Sequence, residues 1–75
     1  MNMTWNAEDA KNWMIKYANT LASNGNTKSS QGLLYDVFWL DSCRLEETFI
    51  KSLKSNTNLD DVYIKWALKE VRHDG

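Results

Sequence analysis

Ala7, Ala10, Trp13, Met14, Tyr17, Ala18, Leu21 and Ala22 return at steps of three and four residues, with Glu8, Asp9, Asn12, Lys16, Asn19 and Ser23 between them. A period near 3.6 with one apolar face is that of an amphipathic helix, and it predicts one over about 7–23. Asn6 is a suitable N-cap, Glu8 and Asp9 put negative charge on the first turn, and Asn24-Gly25 offers a left-handed stop. Polar residues 24–29 read as a loop.

A second apolar run, Leu33, Leu34, Val37, Phe38 and Leu40, predicts a helix over about 30–40 with Ser29 or Ser30 as its cap. Extending that helix at 100° per residue puts Asp41 in the middle of the apolar face and leaves Leu45, Phe49 and Leu53 about a third of a turn away. The stripe therefore breaks. With Asp41-Ser42 as a cap, Glu46 and Glu47 in the opening turn, and Lys51 and Lys54 near the end, a separate helix over about 43–54 follows. One long bent helix is the rival reading. Thr57-Asn-Leu-Asp60 resembles a capping box for a last helix over about 58–72. Its apolar residues, Leu59, Val62, Tyr63, Ile64, Trp66, Ala67, Leu68 and Val71, cover more than half its girth, so it must touch structure on two sides.

The expected fold is all-α, a compact bundle of three to four helices forming a single helical domain over 1–75. Its expected core is Trp13, Met14, Tyr17, Leu21, Leu34, Val37, Phe38, Leu45, Phe49, Val62, Tyr63 and Trp66. Composition sharpens this picture in one respect. A 75-residue chain has a small core, and with one cysteine it cannot add an internal disulfide. Four tryptophans, three tyrosines and two phenylalanines are the supplement, at roughly 150–250 Å² of buried surface each. The absence of proline permits helices throughout.

A formal charge of −1 argues against a strongly basic nucleic-acid binder and against an acidic nucleic-acid mimic. The first ten residues lack the basic patch and apolar run of a signal peptide, and no apolar stretch is long enough to span a bilayer. With a lone cysteine this points to a cytoplasmic protein without a membrane partner. The sequon at Asn2-Met3-Thr4 then has no glycosylation to receive.

Catalytic signatures are missing: no phosphate loop, nucleophile elbow, zinc-protease motif or dinucleotide fingerprint occurs. His73, the single histidine, is two residues from the end. Cys43 beside Arg44 and a helix start is the one conceivable nucleophile, yet it lacks a base, and a buried small hydrophobe is the better reading. Glu46-Glu47 and Asp60-Asp61 diverge by about 100° and suit helix starts, not an acid–base pair. No cofactor, metal or catalytic residue is expected, and the protein reads as a non-enzyme.

Two features remain. Tyr35 and Trp39 lie one turn apart, opposite Leu33, Leu34 and Val37, where a two-layer packing leaves them in water. Such residues anchor protein interfaces, and Ile64 and Leu68 on the flank of the last helix form the expected support, for the partner or for a second copy of the chain as a homodimer. The first functional expectation is a small protein-protein interaction module, an inhibitor or adaptor docking on a larger protein. Size and lack of enzyme motifs align it by type with accessory proteins of phages and mobile elements that act on host or defence factors. The alternative is a small DNA- or RNA-associated regulator that uses the strip Lys65, Lys69 and Arg72. The acidic start of that helix weighs against it.

Overall fold

The structure, a computed structural model, describes residues 5–72, the side chain of Arg72 excepted. The Asn2 sequon and His73 lie outside the described residues. Four helices follow one another, α1 (Ala7–Ser23), α2 (Thr27–Phe38), α3 (Glu46–Asn56) and α4 (Asp61–Arg72), and no strand occurs among the described residues. The bundle is all-α as the periodicity indicates, with a radius of gyration of 11.6 Å and extents of 41 × 26 × 19 Å.

Helix α1 has the predicted bounds because both caps form. The Asn6 side chain accepts a hydrogen bond from the Asp9 N–H at 3.0 Å. At the other end Gly25, at φ 88°, lets its own N–H reach the Ala22 carbonyl (3.1 Å) and the Asn26 N–H reach the Leu21 carbonyl (2.8 Å). This Schellman turn reverses the chain within three residues. Helix α2 therefore begins at Thr27, not near residue 30 as expected from Ser29 or Ser30, and Ser30 is buried in its second turn.

The rival long helix is excluded, since residues 39–45 form a non-helical link. Asp41 there has φ 53°, the one positive value on a described residue other than glycine, in a region that aspartate tolerates better than most side chains. The turn lets the Ser42 N–H donate to the Asp36 carbonyl (2.9 Å) and the Arg44 N–H to the Asp41 carbonyl (3.1 Å). It thereby delays α3 to Glu46 from the expected start near 43. Thr48 takes the capping role assigned to Asp41-Ser42: its hydroxyl accepts from the Leu45 N–H at 3.3 Å. That hydroxyl also lies 2.8 Å from both the Ser42 and the Leu45 carbonyl, so its single proton has an acceptor either way. Thr57 likewise ends α3 instead of capping α4, donating to the Leu53 carbonyl at 2.6 Å, and Asp60 caps α4 through the Tyr63 N–H at 3.1 Å.

Core burial follows narrow stripes: Ala10, Met14, Ala18 and Leu21 of α1; Leu33 and Val37 of α2; Phe49 and Leu53 of α3; Ile64, Ala67 and Val71 of α4. Trp13, Tyr17 and Leu34, also assigned to the core, are half-buried against it. Five other assignments are corrected, because Phe38, Leu45, Val62, Tyr63 and Trp66 are all exposed. On α4 the wide apolar arc offers two possible inner stripes, and α1 seats the one through Ile64, Ala67 and Val71, turning Val62, Tyr63 and Trp66 outward.

Phe49 is fully buried and meets Trp5 (ring centroids 5.4 Å) and Trp13 (5.6 Å). The Trp5 indole N–H also donates to the Cys43 carbonyl at 2.8 Å, tying the segment before α1 to the α2–α3 link. A polar seam joins α2 to α3. Asp36 Oδ2 accepts from the Ser52 hydroxyl (2.7 Å) and from the Asn56 amide (2.9 Å), which also donates to the Ser52 carbonyl (2.9 Å). Gly32, one turn before Asp36, lies against Asn56 so closely that a Cβ there would overlap the amide oxygen.

Phe49→Ala should cost about 3–5 kcal/mol, around half of the roughly 5–10 kcal/mol that stabilises a domain of this length, and urea unfolding monitored by circular dichroism checks it. Gly32→Ala should lower stability by about 1 kcal/mol despite its better helix propensity. In an Asn56→Ala background the same change should turn neutral or stabilising, because the overlapping amide is gone.

Candidate functional site

The exposed end of α2 gathers the most prominent surface feature. Leu33 and Val37 point into the core, which rotates Tyr35, Phe38 and Trp39 away from it, and the chain leaves the helix through Trp39 and Leu40 before the turn at Asp41. Tyr35 is 55% exposed, Phe38 58%, Trp39 76% and Leu40 60%. The Tyr35 and Trp39 rings stack at 6.4 Å between centroids and 28° between planes, the one-turn pairing expected from their spacing. Lys11 of α1 holds its ammonium 5.7 Å from the Phe38 ring centroid, a cation–π contact that sets one edge of the patch.

With aromatic side chains of roughly 150–250 Å² each, these four residues together expose on the order of 500 Å², at the upper end for a protein that works alone. Phe38 and Leu40 escape recognition as patch members in the sequence because a helix extended to residue 40 puts both on its apolar side. The end of α2 at Phe38 is set by the Asp41 turn, which leaves no periodic signal.

The other expected site residues are dispersed. Ile64 is 4% exposed and belongs to the core, and Leu68 is half-buried against it, so the supporting flank expected from these two residues does not exist. Lys65 and Lys69 are exposed one turn apart on α4; the Arg72 side chain lies outside the described residues. Asp61, the residue one turn before Lys65, is drawn to Lys54 of α3 at 3.7 Å, an exposed pair of little energetic consequence.

A second feature lies between α1 and α4. Trp13, Lys16, Tyr17 and Thr20 face Tyr63, Trp66 and Glu70 across a cleft of about 290 Å³. Trp13 and Tyr17 stack at 5.0 Å, and Trp66 stands at 67° to Trp13 and at 85° to Tyr63. Burial pushes the Tyr17 hydroxyl above its usual range, and Tyr63 nearby adds to the shift. The cleft exists because Tyr63 and Trp66 are outside the core, so no sequence pattern that counted them as core residues could find it.

Cys43 is 3% exposed and three residues short of α3, too far back to benefit from that helix's N-terminus. Burial is the main cause that pushes its thiol above the ordinary range, helped by its hydrogen bond to Asp41 Oδ1 (3.6 Å) and by that carboxylate's charge. Arg44 beside it in sequence is exposed and does not offset this. Among the described residues no group of three or more histidine, cysteine, aspartate or glutamate side chains is placed to hold a metal, and no helix is long and apolar enough to cross a membrane.

A raised thiol pKa makes Cys43 slow towards a thiol reagent at pH 7. The folded state also keeps its proton longer than the unfolded chain, so stability should fall as pH rises past the unfolded thiol's value near 8.5. Cys43→Ala should flatten that alkaline slope, read from urea midpoints between about pH 7 and 10. Compared with known proteins, the chain matches no family model, no curated protein and no solved structure.

Proposed function

We propose that this protein is a non-catalytic docking module, an adaptor or inhibitor that seats the end of α2 in an apolar recess of a larger protein. The observation that carries the reading is Trp39, a tryptophan with 76% of its surface in water beside exposed Tyr35, Phe38 and Leu40. A small domain that leaves such surface uncovered gives up burial energy it can ill spare, and covering it by association recovers that energy. Trp and Tyr concentrate interface energy, and this pair is already stacked before any partner binds.

A projecting indole needs a hole. The depression beside Leu40 is open and has the charged Asp36 and Lys51 in its lining, so a second copy docked symmetrically on this end would set an indole against charged groups. A larger partner can supply an uncharged recess. Binding then acts by occlusion, with the Lys11 ammonium over the Phe38 ring a positive charge at the patch edge.

Affinity capture from nuclease-treated lysate, followed by titration of the purified partner, tests this. Trp39→Ala should weaken binding by at least about 30-fold, the equivalent of a roughly 2 kcal/mol anchor, and leave the helical circular dichroism unchanged. Lys65→Glu with Lys69→Glu should leave the affinity alone. Retention of the partner by a Tyr35→Ala/Trp39→Ala double variant, or dependence of capture on intact nucleic acid, would sink the reading.

A further inference from the structure

The docking surface gives no account of the cleft between α1 and α4. The lining of that cleft combines four aromatic rings with one cation and one anion, Lys16 and Glu70. The rings are not parallel: Trp66 stands near a right angle to Tyr63 and steeply to Trp13, and Tyr17 extends the Trp13 wall. Walls set at such angles surround a compact group with the negative faces of several rings, the arrangement that attracts an alkylated ammonium. A volume near 290 Å³ accommodates a trimethylammonium head and a short tail with room to spare.

Charge narrows the chemistry further. Glu70 favours a cation, but Lys16 lines the same cleft, so the site carries no net charge and an ion of either sign alone is only half matched. From these features we infer that the cleft binds a small zwitterion carrying a methylated ammonium and a carboxylate, a compound of the betaine type. The methylated head sits against Trp13, Trp66 and Tyr63 with Glu70 at its edge. The carboxylate meets the Lys16 ammonium, with the Tyr17 hydroxyl a further donor along the cleft; the Thr20 hydroxyl already donates to the Lys16 carbonyl at 3.2 Å. This inference does not rest on the docking reading, because the two sites share no residue.

The tryptophan indole N–H resonances, followed by NMR on titration with glycine betaine, test it. Three probes bracket the chemistry: glycine, the same zwitterion without methyl groups; choline, the same head without the carboxylate; and 3,3-dimethylbutanoate, a carboxylate whose tert-butyl head has the shape but not the charge. Betaine should shift the Trp13 and Trp66 signals saturably, and the tert-butyl analogue should bind roughly tenfold more weakly. Trp66→Leu or Tyr63→Leu should abolish the shifts; both positions are about half exposed, so the fold should survive. Lys16→Gln should weaken betaine several-fold and leave choline unchanged or improved, and Glu70→Gln should weaken both. Trp39→Ala should have no effect. Equal affinity for betaine and 3,3-dimethylbutanoate would show an apolar slot blind to charge and overturn the inference. So would indole shifts that grow linearly with betaine without saturating, or that glycine reproduces.

Discussion

Phe49 is the side chain that joins α3 to α1 and to the segment before it. Its ring is fully buried, with Trp5 packed on one side and Trp13 on another, and Trp13 in turn meets Trp66 of α4. Backbones of α1 and α3 need not come close for this, because two large rings bridge the distance that smaller side chains would leave empty. Phe49 is the one aromatic side chain of an otherwise small-residue and aliphatic buried core, and with the half-buried Trp5 and Trp13 it supplies the large rings that join separate elements of this short domain. Trp5 contributes twice, with its ring to the core and its N–H to the Cys43 carbonyl, and so anchors the link whose turn ends α2.

The polar seam between α2 and α3 adds specificity that the aromatic core lacks. Asp36, Ser52 and Asn56 satisfy one another at positions one turn apart, and the bare Gly32 allows the amide of Asn56 to lie against the α2 backbone. Sliding either helix by a turn would strand a carboxylate or an amide at the interface, and a stranded polar group costs more than the apolar surface such a slide would uncover. No buried side-chain polar atom among the described residues is without a partner. The register of α3 on α2 is thus set by hydrogen bonds, and the position of Asp41 and the exposed end of α2 follow from it.

What is left in water is then a consequence of how the core was filled. Tyr35, Phe38, Trp39 and Leu40 emerge where α2 must end, and Tyr63 and Trp66 emerge where α4 turns its other apolar flank away from the α1 core stripe. The two surfaces differ in kind. The first is projecting and suits a macromolecular recess, whereas the second is concave, with charges of both signs in its lining, and suits a small ligand.

The helices themselves were legible because their signals are local. Period 3.6 patterning and the Asn6 and Asn24-Gly25 caps place α1 to the residue, and the phase break at Asp41 separates α2 from α3. The placement of Tyr35 and Trp39 opposite Leu33 and Val37 was legible for the same reason, whereas their exposure depended on no other helix covering that face. Where a helix is apolar over most of its girth, as α4 is, the chain offers two inner faces of similar hydrophobicity, and Ile64 or Trp66 could equally have faced in. Only packing decides between them: Ile64, Ala67 and Val71 present a small, smooth surface that seats closely against α1, and the bulk of Tyr63 and Trp66 is displaced to the rim. The sequence by itself therefore determined the helical class, a choice of three or four helices with their approximate limits, and an aromatic pair placed opposite the apolar stripe of α2. The tertiary structure decided which aromatic rings became core and which became surface, because that choice depends on the shape of the neighbouring helix and not on any residue's own hydrophobicity.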